Sequence, residues 1–252
     1  MSARSDRKKQ LALAGQDTED KPGAAAKVLS QIIERSSRVQ APAVKAYVDR
    51  IRAGDRNASP AEIVTKLEKH YMRAVMASGA AVGSTAALPG IGTLAAMSAV
   101  AGETVVFLEA TSLFVLAVAE VHGIPAHERE RRRALVLSVL VGEDSKRAVA
   151  DLFGRSRTGG AWISDGAATL PLPAVSQLNS RLLKYFVKRY TLKRGALAFG
   201  KVLPVGIGAV VGGVGNRLMG KKIIENARSA FGPPPSRWPA TLHVLPSVQP
   251  NP

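Results

Sequence analysis

The sequence predicts an all-α protein: a helical bundle with one apolar hairpin broken by Gly and Pro, and with disordered N- and C-terminal tails. Three observations lead there. Apolar residues recur at helical spacing through most of the chain, helix start and stop signals punctuate it, and no alternating apolar/polar series with hairpin turns occurs. The 252 residues, 46% of them hydrophobic, are enough to bury one core. The expected organisation is a basic arm over 1–26, a single helical domain over 27–231 and a Pro-rich tail over 232–252.

The arm mixes Lys, Arg, Asp, Gly and Ala without an apolar period, so it is expected to be disordered. Its apolar run, Leu11 to Ala14, is too short for a signal-peptide core of ~7–15 residues, and no cleaved leader is expected. Pro42 then opens a helix through Tyr47 and Ile51 that stops at Gly54. Ser59, Pro60 and Glu62 form a capping box with Pro in the first helical turn, so the next helix begins at Pro60 and runs past His70. Pro125 opens another through Arg133 and Leu140 toward Gly142. Further helices fit Asp144–Phe153, Ala174–Tyr190 and Pro204–Ala230. Beyond Phe231 repeated Pro removes backbone donors, so the tail is extended and anchored by Phe231 and Trp238.

Between Ala74 and Gly102 the chain carries no charged residue and is built mostly from Ala, Gly, Ser and Thr. Pro89, with Gly90 and Gly92, breaks this stretch into two antiparallel arms. Gly79, Gly83 and Ala87 give one arm a face of small residues, and Gly92, Ala96 and Ala99 give the other a matching face, so backbones can approach closely. A second uncharged stretch, Val202–Asn216, carries Gly206, Gly208, Gly212, Gly213 and Gly215. The expected helix-packing residues are therefore Gly79, Gly83, Pro89, Gly90, Gly208 and Gly212. Such a composition fits a membrane; it equally fits a tight hairpin buried in a soluble bundle. Lys66, Lys69 and Arg73 precede the hairpin and Arg129, Arg131, Arg132 and Arg133 follow it, so a positive-inside reading places both ends on the cytoplasmic face, with an even number of crossings or a re-entrant loop. Ala74 to Leu88 extends roughly 22 Å as a helix, short of a hydrocarbon core of about 30 Å, so the first arm dips instead of spanning. Glu103 and Glu109 interrupt the second arm and must face protein or water.

No catalytic constellation accompanies these segments. The chain has no Cys, which excludes a thiolate nucleophile, a disulfide framework and Cys-ligated metals. Glu109 and Glu120 share a helix face but stand three turns apart, too far to act as a carboxylate pair. His127 and Glu128 begin like a zinc helix motif, yet Arg131 occupies the place of the second His; Glu120 and His122 complete only a loose cluster around Gly123. Ser164 and Asp165 have no base by sequence. Gly215 to Lys221 matches the first seven positions of a phosphate-binding loop, but the eighth is Lys222, which cannot hold magnesium, and no later strand supplies a second carboxylate. The expectation is no enzyme activity, no metal, no cofactor and no nucleotide.

What remains is charge. The formal net charge is +16. Arg181, Lys184 and Lys188 fall on one helix face, and with Arg129, Arg131, Arg132 and Arg133 they are the expected contacts to an anionic membrane surface. Few aromatics and dispersed cations argue against nucleic acid.

Gly83, Leu88, Pro89, Gly90 and Gly92, followed by Glu103 and by Ala119 to Gly123, and later by Leu203, Pro204, Gly206, Gly208, Gly212, Gly213 and Asn216, resemble the EcsC-like protein family, particularly its actinobacterial-type members. The likeness runs from Ala74 to Phe231, with Glu103 where many relatives have Asp. It implies a helical, membrane-associated bacterial protein linked to an ABC-type transporter, without assigned catalytic residues. The combined expectation is a non-enzymatic protein at the cytoplasmic face of the cell membrane. The alternative is a soluble all-α protein, a hydrolase or a binder of an anionic ligand.

Overall fold

The computed structural model describes residues 41–86, 93–124, 126–154, 163, 170–197 and 207–239. These residues form seven helices and no strand: α1 (Ala41–Ala53), α2 (Pro60–Ala86), α3 (Thr93–Val121), α4 (Arg129–Val141), α5 (Glu143–Phe153), α6 (Leu172–Leu197) and α7 (Ile207–Phe231). The all-α expectation holds. The arm over 1–26, the break with Pro89 and Gly90, Ser164 and Asp165, and the tail beyond Pro239 lie outside the described residues.

Local chemistry sets most boundaries. At the start of α2 the Ser59 backbone N–H donates to Glu62 Oε2 at 2.7 Å, the Ser59 hydroxyl donates to the same oxygen at 2.8 Å, and the Glu62 N–H donates back to Ser59 Oγ at 3.3 Å. The capping box is formed, and these bonds hold the Glu62 carboxyl below its usual range. Helix α2 then continues without interruption to Ala86, so the helix expected after Pro60 and the first apolar arm are one element. Helix α4 starts later than the signal at Pro125 suggests. The Arg132 guanidinium donates to the Ala126 and His127 carbonyls at 3.1 and 2.5 Å, which holds those two residues in a loop and delays the first helical residue to Arg129. Gly142 ends α4 and leads directly into α5. It has φ +70°, its N–H donates to the Ser138 carbonyl at 3.0 Å, and a Cβ there would overlap the Asn226 amide. Both the backbone conformation and the space require glycine.

Helix α3 is the centre. From Phe107 to Val121 every residue except exposed Glu109 and Glu120 is buried or half-buried, polar Thr111 and Ser112 included. A helix apolar on all sides is one that protein covers on all sides. Its buried hydroxyls are satisfied internally, Thr111 donating to the Phe107 carbonyl at 2.7 Å and Ser112 to the Leu108 carbonyl at 2.8 Å. Helices α1 and α2 pack on it, with Tyr71 stacked on Phe114 at 4.7 Å between ring centres and its hydroxyl 3.0 Å from Thr111 Oγ1. Helix α4 packs on α6, α5 on α6, and α7 closes against α2 and α4. After α7 the chain folds back over the α3–α4 turn: Trp238 donates through Nε1 to the Ala58 carbonyl at 3.1 Å, and the Arg52 guanidinium lies 4.1 Å from its ring centre. The expected anchoring by Phe231 and Trp238 is thus seen, with Phe231 fully buried.

Candidate functional site

Contacts 141 to 160 residues apart in sequence join α2 to α7, and they fix the relative direction of the two helices. Asn216 donates through Nδ2 to the Val75 carbonyl at 3.1 Å, and its side chain fills the space over Gly79, where an added Cβ would lie 2.8 Å from Asn216 Cγ. One turn further along α7, Gly220 lies against Met72 and Val75; a Cβ there would meet Met72 Sδ at 3.2 Å. Arg228 then forms a bidentate pair with the buried Glu68 carboxylate, at 2.7 and 2.5 Å. As the α2 position falls from 79 to 68, the α7 position rises from 216 to 228. The pair is antiparallel.

Helices α2 and α3 are also antiparallel, as the Tyr71 contacts with Thr111 and Phe114 require for two helices separated by a six-residue connection. The C-terminus of α2 and the N-termini of α3 and α7 therefore meet at one end of the molecule. Each of these three helix ends is free of charge: Ala74–Ala86, Thr93–Gly102 and Ile207–Asn216. Glu103 stands at the base of this end on α3, its side chain outside the described residues. Large exposed apolar side chains gather where the uncharged segments begin, namely Met76, Val106, Leu218 (63% exposed) and Met219 (50% exposed). Beside and below them are the exposed cations Arg217, Lys221, Arg73 and Lys69, none of which has an ion-pair partner among the described residues.

Of the packing residues expected from sequence, Gly79, Gly83, Gly208 and Gly212 lie on the helices that meet at this end, and Pro89 and Gly90 are outside the described residues. Gly79 is buried at the α2–α7 contact. Gly83, Gly208 and Gly212 lie within α2 and α7, and their surroundings are outside the described residues. Gly220, part of the string that matches a phosphate-binding loop, makes the same kind of contact as Gly79. The signal was present in the spacing: Gly212, Asn216 and Gly220 continue one small-residue face at intervals of four.

The expected anionic-surface residues sit elsewhere and are partly engaged. Arg131 pairs with Glu128 at 2.8 Å and donates to the Leu170 carbonyl at 3.0 Å, while Arg132 holds the α3–α4 loop. Arg133 is half-buried, and Arg129 is exposed. This group follows the far end of α3, about 18 Å along the helix from Glu109 to Val121 and away from the uncharged end. Arg181 lies 3.5 Å from Asp151, and with exposed Lys184 it lines an open groove between α5 and α6; the Lys188 side chain is outside the described residues.

The other candidates separate as well. Glu109 and Glu120 are exposed on α3. His122 bonds through Nδ1 to the Val118 carbonyl at 2.9 Å and packs its ring against Phe231, Glu128 is taken by Arg131, and no three His, Asp or Glu among the described residues approach as a metal-binding group. Gly215 to Lys221 is continuous helix inside α7, so its backbone N–H groups serve the helix and form no phosphate-cradling loop. Among the described residues no helix is long and apolar enough to cross a membrane. No protein-family model, curated protein or solved structure matches the chain.

Proposed function

We propose that this protein is a membrane-surface protein that seats one end of its helical bundle in a single leaflet and performs no catalysis of its own. The observation that carries the proposal is the convergence of three uncharged helix ends, from α2, α3 and α7, above a level occupied by exposed apolar side chains and exposed cations. From Gly79 to Ala86 the end extends roughly 10 Å, which matches the depth at which interfacial helices rest in the headgroup and upper acyl region. That depth is a third of the hydrocarbon core, so the end enters without crossing. The net charge of +16 complements an anionic cytoplasmic leaflet, and the resemblance to the EcsC-like family agrees with a membrane location and implies an integral partner such as an ABC-type transporter.

A second reading has its own support. The described half of α3 is apolar because the bundle covers it, as in a bundle that needs no bilayer. Fractionation separates the two. The membrane reading expects recovery with membranes that resists salt and carbonate washes, and expects Met76→Glu with Ala80→Glu, both at exposed positions, to release the protein. Recovery of the wild-type chain entirely in the aqueous fraction removes the membrane reading.

A further inference from the structure

Resting on that membrane reading, we propose that one side of the α2–α7 pair is the binding site for anionic lipid headgroups, with Lys69, Arg73, Arg217 and Lys221 as its phosphate-contacting residues. The argument is rotational. On α2 the residues facing α7 are Glu68, Met72, Val75 and Gly79. The next residue after each is Lys69, Arg73, Met76 and Ala80, turned about 100° around the helix, and all four are exposed. On α7 the residues facing α2 are Asn216 and Gly220, and the next ones are Arg217 and Lys221, also exposed. Because the helices are antiparallel, the same rotation carries both sets to the same side of the pair.

Height follows from the same contacts. Gly220 lies against Met72 and Val75, so Lys221 and Arg73 share a level, and Arg217 stands one turn nearer the uncharged end beside Met76. Arg228 lies on this side too, further from the end, but Glu68 neutralises it. The nearest exposed carboxylate, Glu225, lies one turn beyond Lys221 on α7 and is paired with Lys222 at 3.2 Å, and exposed Glu109 is on α3, which packs on a different face of α2. Four cations thus form a ridge that ends in apolar Met76 and Ala80. Long basic stems lying on such a border place their charged heads at the phosphate plane while the uncharged end sits deeper.

The test is co-sedimentation of the full chain with vesicles of phosphatidylcholine alone and of phosphatidylcholine with phosphatidylglycerol, at low and physiological salt. Wild type is expected to bind both and to prefer the anionic vesicles. The variant Lys69→Gln, Arg73→Gln, Arg217→Gln, Lys221→Gln should keep its circular dichroism and melting temperature, keep its binding to neutral vesicles, and lose the anionic preference by roughly tenfold or more. Arg181→Gln with Lys184→Gln should retain the preference. Equal anionic preference in wild type and the four-residue variant overturns the site, as does displacement of wild type from anionic vesicles by millimolar inorganic phosphate, which would assign the ridge to a soluble anion. Failure of wild type to bind either vesicle overturns the membrane reading itself, so the two failures are distinct.

Discussion

At the scale of single residues, the two buried glycines of the α2–α7 contact differ in what faces them. Gly79 faces an amide that is already committed to the Val75 carbonyl, so a methyl group there forces Asn216 to swing away and abandon its bond. Gly79→Ala is expected to lower stability by about 1–3 kcal/mol, measured by urea denaturation. Gly220 faces the flexible end of Met72, which can give by the few tenths of an ångström needed. Gly220→Ala is therefore expected to be neutral or to stabilise by up to about 1 kcal/mol, because alanine gains helix propensity. Tyr71 offers a pH-dependent readout. Burial pushes its phenol well above the ordinary tyrosine value, against a smaller opposite effect of the Thr111 hydroxyl. A proton held more tightly in the folded than in the unfolded chain stabilises the fold fully below the ordinary tyrosine range and progressively less as pH rises through it. Ultraviolet titration should show Tyr71 ionising only as the chain unfolds; normal titration with the circular dichroism unchanged contradicts this burial.

At the scale of helices, the readable features are those that chemistry within one or two turns decides. Ser59 with Glu62, and Gly142, mark their boundaries because a cap or a glycine at positive φ acts on its own neighbours. Ser59→Ala is expected to cost about 1 kcal/mol in thermal unfolding. With the Glu62 carboxyl held low, the contribution of the cap is present above the ordinary carboxylate range and is lost as pH falls through it, so the difference between Ser59→Ala and wild type should shrink in acid. The start of α4 was not readable, because it depends on where one guanidinium among four neighbouring arginines finds carbonyls. The candidate site was half readable. The small-residue face containing Gly79 follows from spacing within one helix, whereas the ridge needs the antiparallel register of two helices distant in sequence. The compact run Arg129–Arg133 is visible in the sequence, whereas Arg73 and Arg217 are placed on one side only by the fold.

At the scale of the whole molecule, the segment after α7 ties the first described helix to the last. Trp238 donates to the Ala58 carbonyl, stacks under Arg52, and is followed by Pro239 pressed close to Gly123. Trp238→Ala is expected to cost about 1–3 kcal/mol through the lost hydrogen bond, ring contact and burial, and to remove one of the two tryptophan emissions. An unchanged melting temperature would show that the strap carries no stability.

The pairing of α2 with α7 has a consequence in time. Val75 and Asn216 are 141 residues apart in sequence, so during synthesis the glycine face of α2 leaves the ribosome long before its partner exists. At about 5–20 residues per second the wait is roughly 7–28 s, far longer than helices need to form. For that interval the nascent chain displays a hairpin of α2 and α3 whose small-residue surface is uncovered, and whatever first occupies it, a chaperone or a lipid surface, does so in competition with the last helix to be made.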